Sequence, residues 1–362
     1  MYVPKYTITT AILKNIGVVE ASREVIENAP LVPAWDLKFK NDAKLRAVHY
    51  GTALEGNDLT MGEAQLLVER DVDSVKQATE AGVVAKDRDV QEVINYRKVL
   101  DYITSLSRDD EYSEELLLNM HKLITARIIP EEESGRFREI QVVLKNSVTG
   151  EVGFKPPQAL EVPFLVEDFL RWMNSEFGKR EHPVLRAGIA HYVLAAVHPF
   201  VEGNGRTARA FATLILFREG YDIKRFFALE EYFDKHADEY FGALMEVSNQ
   251  AFKLEDRDLT PWLTTFTKAL AEELGRIKEK IRELSVDMKI KERVGKQVEL
   301  SERQMRIVEY LNANGEISMA GARNLLSMVS EDTILRDLRY LMEKSVVAKK
   351  GSTKSAKYVL NK

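Results

Sequence analysis

Cysteine is absent from this 362-residue chain. Its absence excludes disulfides, thiolate zinc sites and a cysteine nucleophile. Histidine is scarce, six residues in all, and no H-E-x-x-H pair occurs, which argues against a dedicated metal cage. No apolar run reaches the ~18 residues of a membrane-spanning helix, and no signal-peptide pattern opens the sequence. The expectation is a cytoplasmic protein without membrane contact. There is no G-x-x-x-x-G-K-[ST] phosphate loop and no strand-borne G-x-G-x-x-G. A net charge of −5 makes the whole chain no polyanion binder. What is present is 45% hydrophobic and 30% charged residues, a globular composition long enough for two or three domains.

One stretch organises the rest: His198-Pro199-Phe200-Val201-Glu202-Gly203-Asn204-Gly205-Arg206-Thr207-Ala208-Arg209. An apolar helical run, Pro183 to Val197, precedes it and starts with proline at a first-turn position. A second run, Thr207 to Glu219, follows and stops at Gly220. Gly203-Asn204-Gly205 therefore falls at a helix N-terminus, where unpaired N–H groups and the helix dipole favour an anion. Glycine lets such a ligand approach the backbone. Arg206 and Arg209 leave one helix face, and an arginine pair beside an anion nest reads as a polyphosphate site. Glu202 is placed to bridge Mg²⁺ to phosphate. His198 takes up a proton near neutral pH. Phe200 is expected to face inward.

The stretch resembles the signature of the Fic (Fido-domain) family, H-P-F-x-[D/E]-G-N-G-R-x-x-R, at all nine specified positions. A chance match is on the order of one in 10¹¹ per start site under equal residue usage. The resemblance implies transfer of AMP from ATP to a Ser, Thr or Tyr hydroxyl of a target protein or of the chain itself. It implies His198 as the base and Glu202 as the Mg²⁺ ligand. Gly203, Asn204 and Gly205 become the anion hole, Thr207 joins the nucleotide-binding set, and Arg206 and Arg209 hold the β- and γ-phosphates. Kinase-like relatives carry lysine where Gly205 stands, so glycine favours nucleotidyl transfer. Many Fic proteins also carry an inhibitory helix, [S/T]-x-x-x-E-[G/N], whose glutamate pairs with the second signature arginine. Glu55-Gly56 fits and implies a Glu55–Arg209 ion pair. The first position departs: Gly51 stands where Ser or Thr belongs, with Thr52 one residue late. Locally, Gly56-Asn57 stops a helix and Thr60 with Glu63 forms a capping box.

Elsewhere the patterns are scaffold. Thr9 to Ile16, Ala21 to Glu27 and Leu37 to Ala47 are helical, with Pro30 and Pro33 interrupting. Glu63 to Lys76, Val90 to Leu106 and Ser113 to Ala126 follow, with His121 structural. Gly135-Arg136-Phe137-Arg138 leads into a strand-like run, Ile140 to Leu144; Asn146 to Gly150 is a turn cluster before Val152-Gly153-Phe154, so a β-hairpin is expected. Fic proteins carry such a hairpin, the flap, which pins a target segment by strand addition. Val143 and Leu144 are candidates for lining the nucleotide. Leu160 to Glu176 is amphipathic, with Phe164, Phe169 and Trp172 assigned to the core, as is His191. The resemblance places Tyr240, and less firmly Phe241, against adenine. Ala269 to Lys296 reads as a solvated connecting helix.

From Glu299 the pattern changes. Ser301 with Gln304 caps one helix, Ser318 to Ser327 is a second and Ser330 starts a third, in which Ile334, Leu338 and Leu341 form the buried stripe. Val346 to Lys350 and Ala356 to Leu360 form a basic-tipped hairpin. Together these resemble a winged helix-turn-helix. Residues 301–362 hold 11 Lys/Arg against 7 Asp/Glu. Arg336, Arg339, Lys349, Lys350 and Lys354 suit DNA phosphates. The expected fold is mainly α: residues 1–110 with the inhibitory helix at about 45–57, a Fic core with one hairpin over 111–275, a linker helix over 276–297 and a winged helix over 298–362. The expected function is an autoinhibited protein adenylyltransferase using ATP and Mg²⁺. Its partners are a target protein with an accessible hydroxyl, DNA through the winged helix, and a second copy in a homodimer. Two alternatives stand beside it: a deadenylylase in which Glu55 positions water, and a DNA-binding regulator with a nucleotide-sensing site.

Overall fold

The computed structural model describes residues 2–29, 31, 33–145, 152–283, 300–327, 329–351 and 356–361. In chain order the helices are α1 (Thr10–Glu27), α2 (Pro33–Ala53), α3 (Met61–Glu69), α4 (Val75–Glu80), α5 (Asp87–Ser105), α6 (Glu114–Thr125), α7 (Val162–Asn174), α8 (Glu176–Arg180), α9 (Pro183–Val197), α10 (Asn204–Arg218), α11 (Leu229–Lys235), α12 (Ala237–Ser248), α13 (Thr260–Glu283), α14 (Glu302–Asn314), α15 (Met319–Leu325) and α16 (Glu331–Glu343). The strands are β1 (Leu144–Lys145), β2 (Val152–Phe154), β3 (Glu316–Ser318), β4 (Val347–Lys350) and β5 (Lys357–Leu360). Two compact units result: Met1–Arg23 with Asp42–Gly275, and Glu24–Asn41 with Arg276–Lys362. Among the described residues no helix is long and apolar enough to cross a membrane.

The first unit is built on α9 and α10, with α5 and α6 packed against α10. Burial on nearly all sides explains why α9 reads as one apolar run rather than a stripe. Phe169, Trp172, Tyr192, Phe211, Trp262 and Phe266 are fully enclosed there. Gly188 lets α13 lie against α9. A Cβ at that position would stand 2.9 Å from Leu263, and Trp262 donates its indole N–H to the Gly188 carbonyl at 2.7 Å. The capping box of Thr60 and Glu63 is present.

Several boundaries differ from the sequence reading. Thr9 to Ile16 and Ala21 to Glu27 are one helix, because Gly17 costs a helix only about 1 kcal/mol. Pro33 opens α2 instead of interrupting it, since a first-turn proline sacrifices no hydrogen bond. The expected helix over Glu63 to Lys76 breaks at Asp71, whose φ is 53°. Helix α10 starts at Asn204, three residues before the expected Thr207. Phe164 is 69% exposed, outside the core that holds Phe169 and Trp172. Residues Ala269, Leu270, Leu274, Ile277 and Ile281 are buried, so α13 is a core helix and not the solvated connection its charges suggested. Residues 284–297 of the expected linker lie outside the described residues, as does the turn cluster 146–150. Among the described residues β1 pairs antiparallel with β2 through Leu144↔Phe154 and Lys145↔Val152, and the expected strand over Ile140 to Leu144 begins only at Leu144.

The second unit contains the winged helix-turn-helix. Ile334, Leu338 and Leu341 of α16 are fully buried, and Asp337 accepts from Gln304 and Arg303 of α14. Its sheet has the antiparallel order β3-β5-β4; β3, absent from the sequence reading, supplies one outer strand. Arg336, Arg339, Lys349 and Lys350 are exposed. Lys354 lies outside the described residues.

Candidate active site

The loop between α9 and α10 is held by its own side chains. His198 closes α9 in the left-handed region, φ 51° and ψ 60°, a conformation that disfavours non-glycine residues. Proline at 199 already bars it from the right-handed helical region. Asn204 then ties the loop into a ring, accepting the Phe200 N–H at 2.9 Å and donating to the Phe200 carbonyl at 2.8 Å. Gly203 has φ 74°, and a Cβ there would meet Thr125 at 3.0 Å. Having no side chain, Gly203 cannot cap α10. The first-turn N–H groups are left to an incoming anion.

Beneath the loop His121 stacks on Phe200, centroids 3.7 Å apart and planes 4° from parallel. It accepts the Gly135 N–H at Nδ1 (2.9 Å) and so donates from Nε2 to the Glu202 carbonyl (3.0 Å). Burial lowers its pKa to about 4, and this uncharged form fits both bonds. His198 is likewise pushed down to about 4, chiefly by burial. Its Nδ1 lies 3.3 Å from the Ala195 carbonyl. An Nδ1–H donated there leaves the Nε2 lone pair free to take a proton.

Glu55 lies in the turn that follows α2, not within the helix. Its Oε1 is 2.7 Å from Arg209 Nη2 and its Oε2 is 2.7 Å from Arg206 Nε. The implied pair with Arg209 is thus present, and Arg206 is engaged as well. Burial alone would raise the Glu55 carboxyl; the Arg209 and Arg206 guanidiniums outweigh it and hold it below the ordinary carboxylate range. Burial would pull Arg209 down, and Glu55 reverses that, raising it. Gly205 gives the carboxylate room in this position: a Cβ there would be 2.5 Å from Glu55 Oε1.

The departure at Gly51 has a steric cause. A Cβ on Gly51 would stand 2.5 Å from the Tyr96 ring, and that ring is fixed by the bond from its hydroxyl to Glu230 (2.9 Å). No serine or threonine hydroxyl reaches the arginines from this position. The Gly51 carbonyl accepts from Arg209 Nη2 at 2.8 Å instead. The Thr52 hydroxyl turns back to the Val48 and His49 carbonyls.

Other sequence candidates are placed differently. Thr207 is buried, its hydroxyl committed to the Gly203 carbonyl at 2.8 Å, so it secures the helix start and presents nothing to a ligand. Tyr240 is 2% exposed, with its hydroxyl 2.9 Å from His191 Nε2. Phe241 is half-exposed and Val143 is partly exposed; the Leu144 side chain lies outside the described residues. Three residues of the site were not singled out. Arg138, 2% exposed, donates to the carbonyls of His198 (2.8 Å), Ile140 (3.1 Å) and Pro157 (2.6 Å). It clasps the α9–α10 loop to the segments on either side of the hairpin. Arg88 and Glu92 of α5 face Glu202 and Arg206, at 3.2 Å and 3.4 Å. Only the Gly-x-Phe-Arg run ahead of the hairpin could have pointed to Arg138; the α5 pair carries no local signal.

The site suits a polyphosphate. Arg209 Nε is buried without a hydrogen-bond acceptor and Arg206 Nη1 has only the Glu92 carboxylate at 3.4 Å, a costly state that phosphate oxygens would relieve. Among the described residues no three acidic or histidine side chains could together hold a metal. The Glu202 carboxylate, 35% exposed just before α10, fits a cation that completes its shell from phosphate and water.

Residues 111–216 match the model of the Fic/DOC family, and residues 303–353 match the DeoR-like helix-turn-helix domain. "Protein adenylyltransferase Fic" of Drosophila ananassae is 31% identical over 186 residues, 51% of this chain and 34% of that protein. Its counterpart in Drosophila melanogaster is 30% identical over the same shares. The match thus spans about a third of the length of these curated relatives. A Fic family protein from Desulfovibrio desulfuricans G20 has the same fold, with a TM-score of 0.66 and 23% identity over 99% of this chain and 98% of that one. Fic-1 from C. elegans follows with a TM-score of 0.55 and 24% identity over 74% and 72%.

Proposed function

On a chain that carries a Fic/DOC domain and a C-terminal DeoR-like helix-turn-helix domain, we propose an autoinhibited protein adenylyltransferase. The observation that carries this reading is Glu55. One carboxylate sits on both arginines, of which Arg209 keeps a buried Nε without an acceptor, at a helix N-terminus beside an uncharged histidine. A nucleotide's phosphates need the same arginines.

In this reading Glu55 withdraws and ATP enters. The α10 amides and Arg206 and Arg209 hold its phosphate chain, with Val143 and Tyr240 proposed near the nucleoside. A target hydroxyl gives its proton to His198 Nε2. Its oxygen bonds to the α-phosphorus as the bond between that phosphorus and the bridging oxygen breaks, and pyrophosphate leaves. A base so placed contributes about 10²–10⁴-fold, and each preorganised donor to developing charge about 10²–10³-fold. Glu202 would hold Mg²⁺, which when bound neutralises charge on the leaving pyrophosphate. Arg138 keeps His198 and the hairpin in fixed relation.

The test is mass spectrometry after incubation of the Glu55→Gly form with ATP and Mg²⁺. AMP added to the chain or to an offered protein, and lost with a further His198→Ala change, supports the reading. Phosphate transfer, or AMP transfer indifferent to His198, contradicts it.

The exposed Arg336, Arg339, Lys349 and Lys350 favour a second reading, a DNA-binding regulator. Arg336→Ala/Arg339→Ala should weaken binding to duplex DNA and flatten its salt dependence. A full cellular effect that survives His198→Ala but not these changes would favour the regulator.

A further inference from the structure

We infer that Arg88 controls how readily a divalent cation reaches Glu202, occupying the cation's place while the site is shut. The inference rests on the proposed role of Glu202 as cation ligand. Both oxygens of that carboxylate face guanidiniums: Oε1 lies 3.1 Å from Arg206 Nη2, and Oε2 lies 3.2 Å from Arg88 Nη2. An entering cation must displace one of them.

The two differ in freedom. Arg206 is 1% exposed and enclosed by Glu55 at 2.7 Å, Glu92 at 3.4 Å and Glu202. Arg88 is 54% exposed and has one further anchor, Glu92 Oε1, 3.2 Å from its Nε. An exposed pair of this kind is weak and screened by salt, so Arg88 is the one that yields. Three carboxylates (Glu55, Glu92, Glu202) meet three guanidiniums (Arg88, Arg206, Arg209) in this cluster. Its charge is balanced when shut, and a lone dication enters against a positive neighbour.

The cluster also reaches the inhibitory turn. Glu92 is buried and accepts from Asn57 Nδ2 at 2.9 Å; Asn57 lies two residues beyond Glu55. The group that holds Arg88 is thus tied to the turn that must move to admit a nucleotide. Arg88 is a positioning residue here: it acts on the cation through Glu202.

The experiment measures ATP affinity of the full chain by calorimetry, once with Mg²⁺ and once with EDTA, every form carrying His198→Ala to prevent turnover. The readout is the factor by which Mg²⁺ tightens ATP. Arg88→Gln should raise that factor about threefold, and Arg88→Lys should raise it less. Glu202→Gln should lower it whether or not Arg88 is changed. An unchanged factor in Arg88→Gln overturns the inference. So does an equal loss of ATP affinity in both solutions, which would make Arg88 a phosphate ligand. If Glu202→Gln leaves the factor intact, the cation role of Glu202 fails first and the inference falls with it.

Discussion

Glu55 Oε1 lies 2.7 Å from Arg209 Nη2 across 154 residues of sequence. Neither residue could adopt this place alone. Arg209 is 3% exposed, and its charge needs a counter-ion. Gly205, without a side chain, leaves room for the Glu55 carboxylate, and Gly51 lets the end of α2 press against Tyr96. The Glu55 side chain keeps 24% exposure, so removing it when nothing replaces it costs less than the about 3–5 kcal/mol of a fully buried pair. Phosphate can replace Glu55, so the pair reads as a switch.

Gly51 should tolerate no side chain. Gly51→Ser, which restores the family pattern, places its Cβ 2.5 Å from the Tyr96 ring. Overpacking of this kind costs about 1–3 kcal/mol. Thermal unfolding should show a lower midpoint for Gly51→Ser, and the same change should lower the midpoint less in a Tyr96→Ala background, where the ring is gone. An unchanged midpoint in Gly51→Ser would mean the α2 end is free to shift.

Acid should weaken the fold through its buried histidines. Burial lowers His121 and His198 to about 4, against about 6.5 in an unfolded chain. Between those values the unfolded chain binds protons that the fold refuses, so stability is complete above about pH 6.5 and falls as pH drops toward 4. The loss from pH 7 to 5 should be roughly 1–2 kcal/mol per group. Denaturant titrations at both values should show a smaller loss in His121→Gln than in wild type. Equal losses would place the His121 proton uptake elsewhere. In the Glu55→Gly form, kcat/KM should show no ionisation near 6.5, because His198 is already uncharged there.

Arg138 should matter for rate beyond its contribution to stability. Its three carbonyl partners set His198 relative to the hairpin. A displacement of about 1 Å in such a site can cost 10²-fold. Arg138→Lys in the Glu55→Gly background should lower kcat at least tenfold while ATP affinity changes little. A fall in ATP affinity as large as the fall in kcat would contradict this positioning role.

The contrast between Glu55 and Arg138 shows where a sequence is readable. The loop from His198 to Arg209 is contiguous, and its glycines, Asn204 and paired arginines act on one another within a turn, so pattern and spacing carry their placement. Glu55 was legible only through its resemblance to a family motif, and that motif foretold Arg209 alone. The contact with Arg206 depends on the approach that Gly205 allows. Arg138, Arg88 and Glu92 are recruited by packing from elements far away in sequence, and no local period marks them. The mainly α fold and the winged helix followed from periodicity and caps. Element boundaries shifted where glycine or proline proved compatible with helix, at Gly17 and Pro33. Tyr240 and Thr207 were assigned to a ligand by resemblance, yet both hydroxyls face protein partners.

The central claim is that Glu55 shuts the site by occupying Arg206 and Arg209. Its most direct test is the initial rate of AMP transfer from labelled ATP with Mg²⁺, measured side by side for wild type and Glu55→Gly at equal concentration. The account predicts at least a tenfold higher rate for Glu55→Gly, with tighter ATP binding. Equal rates in the two forms, with ATP bound by both, would contradict it.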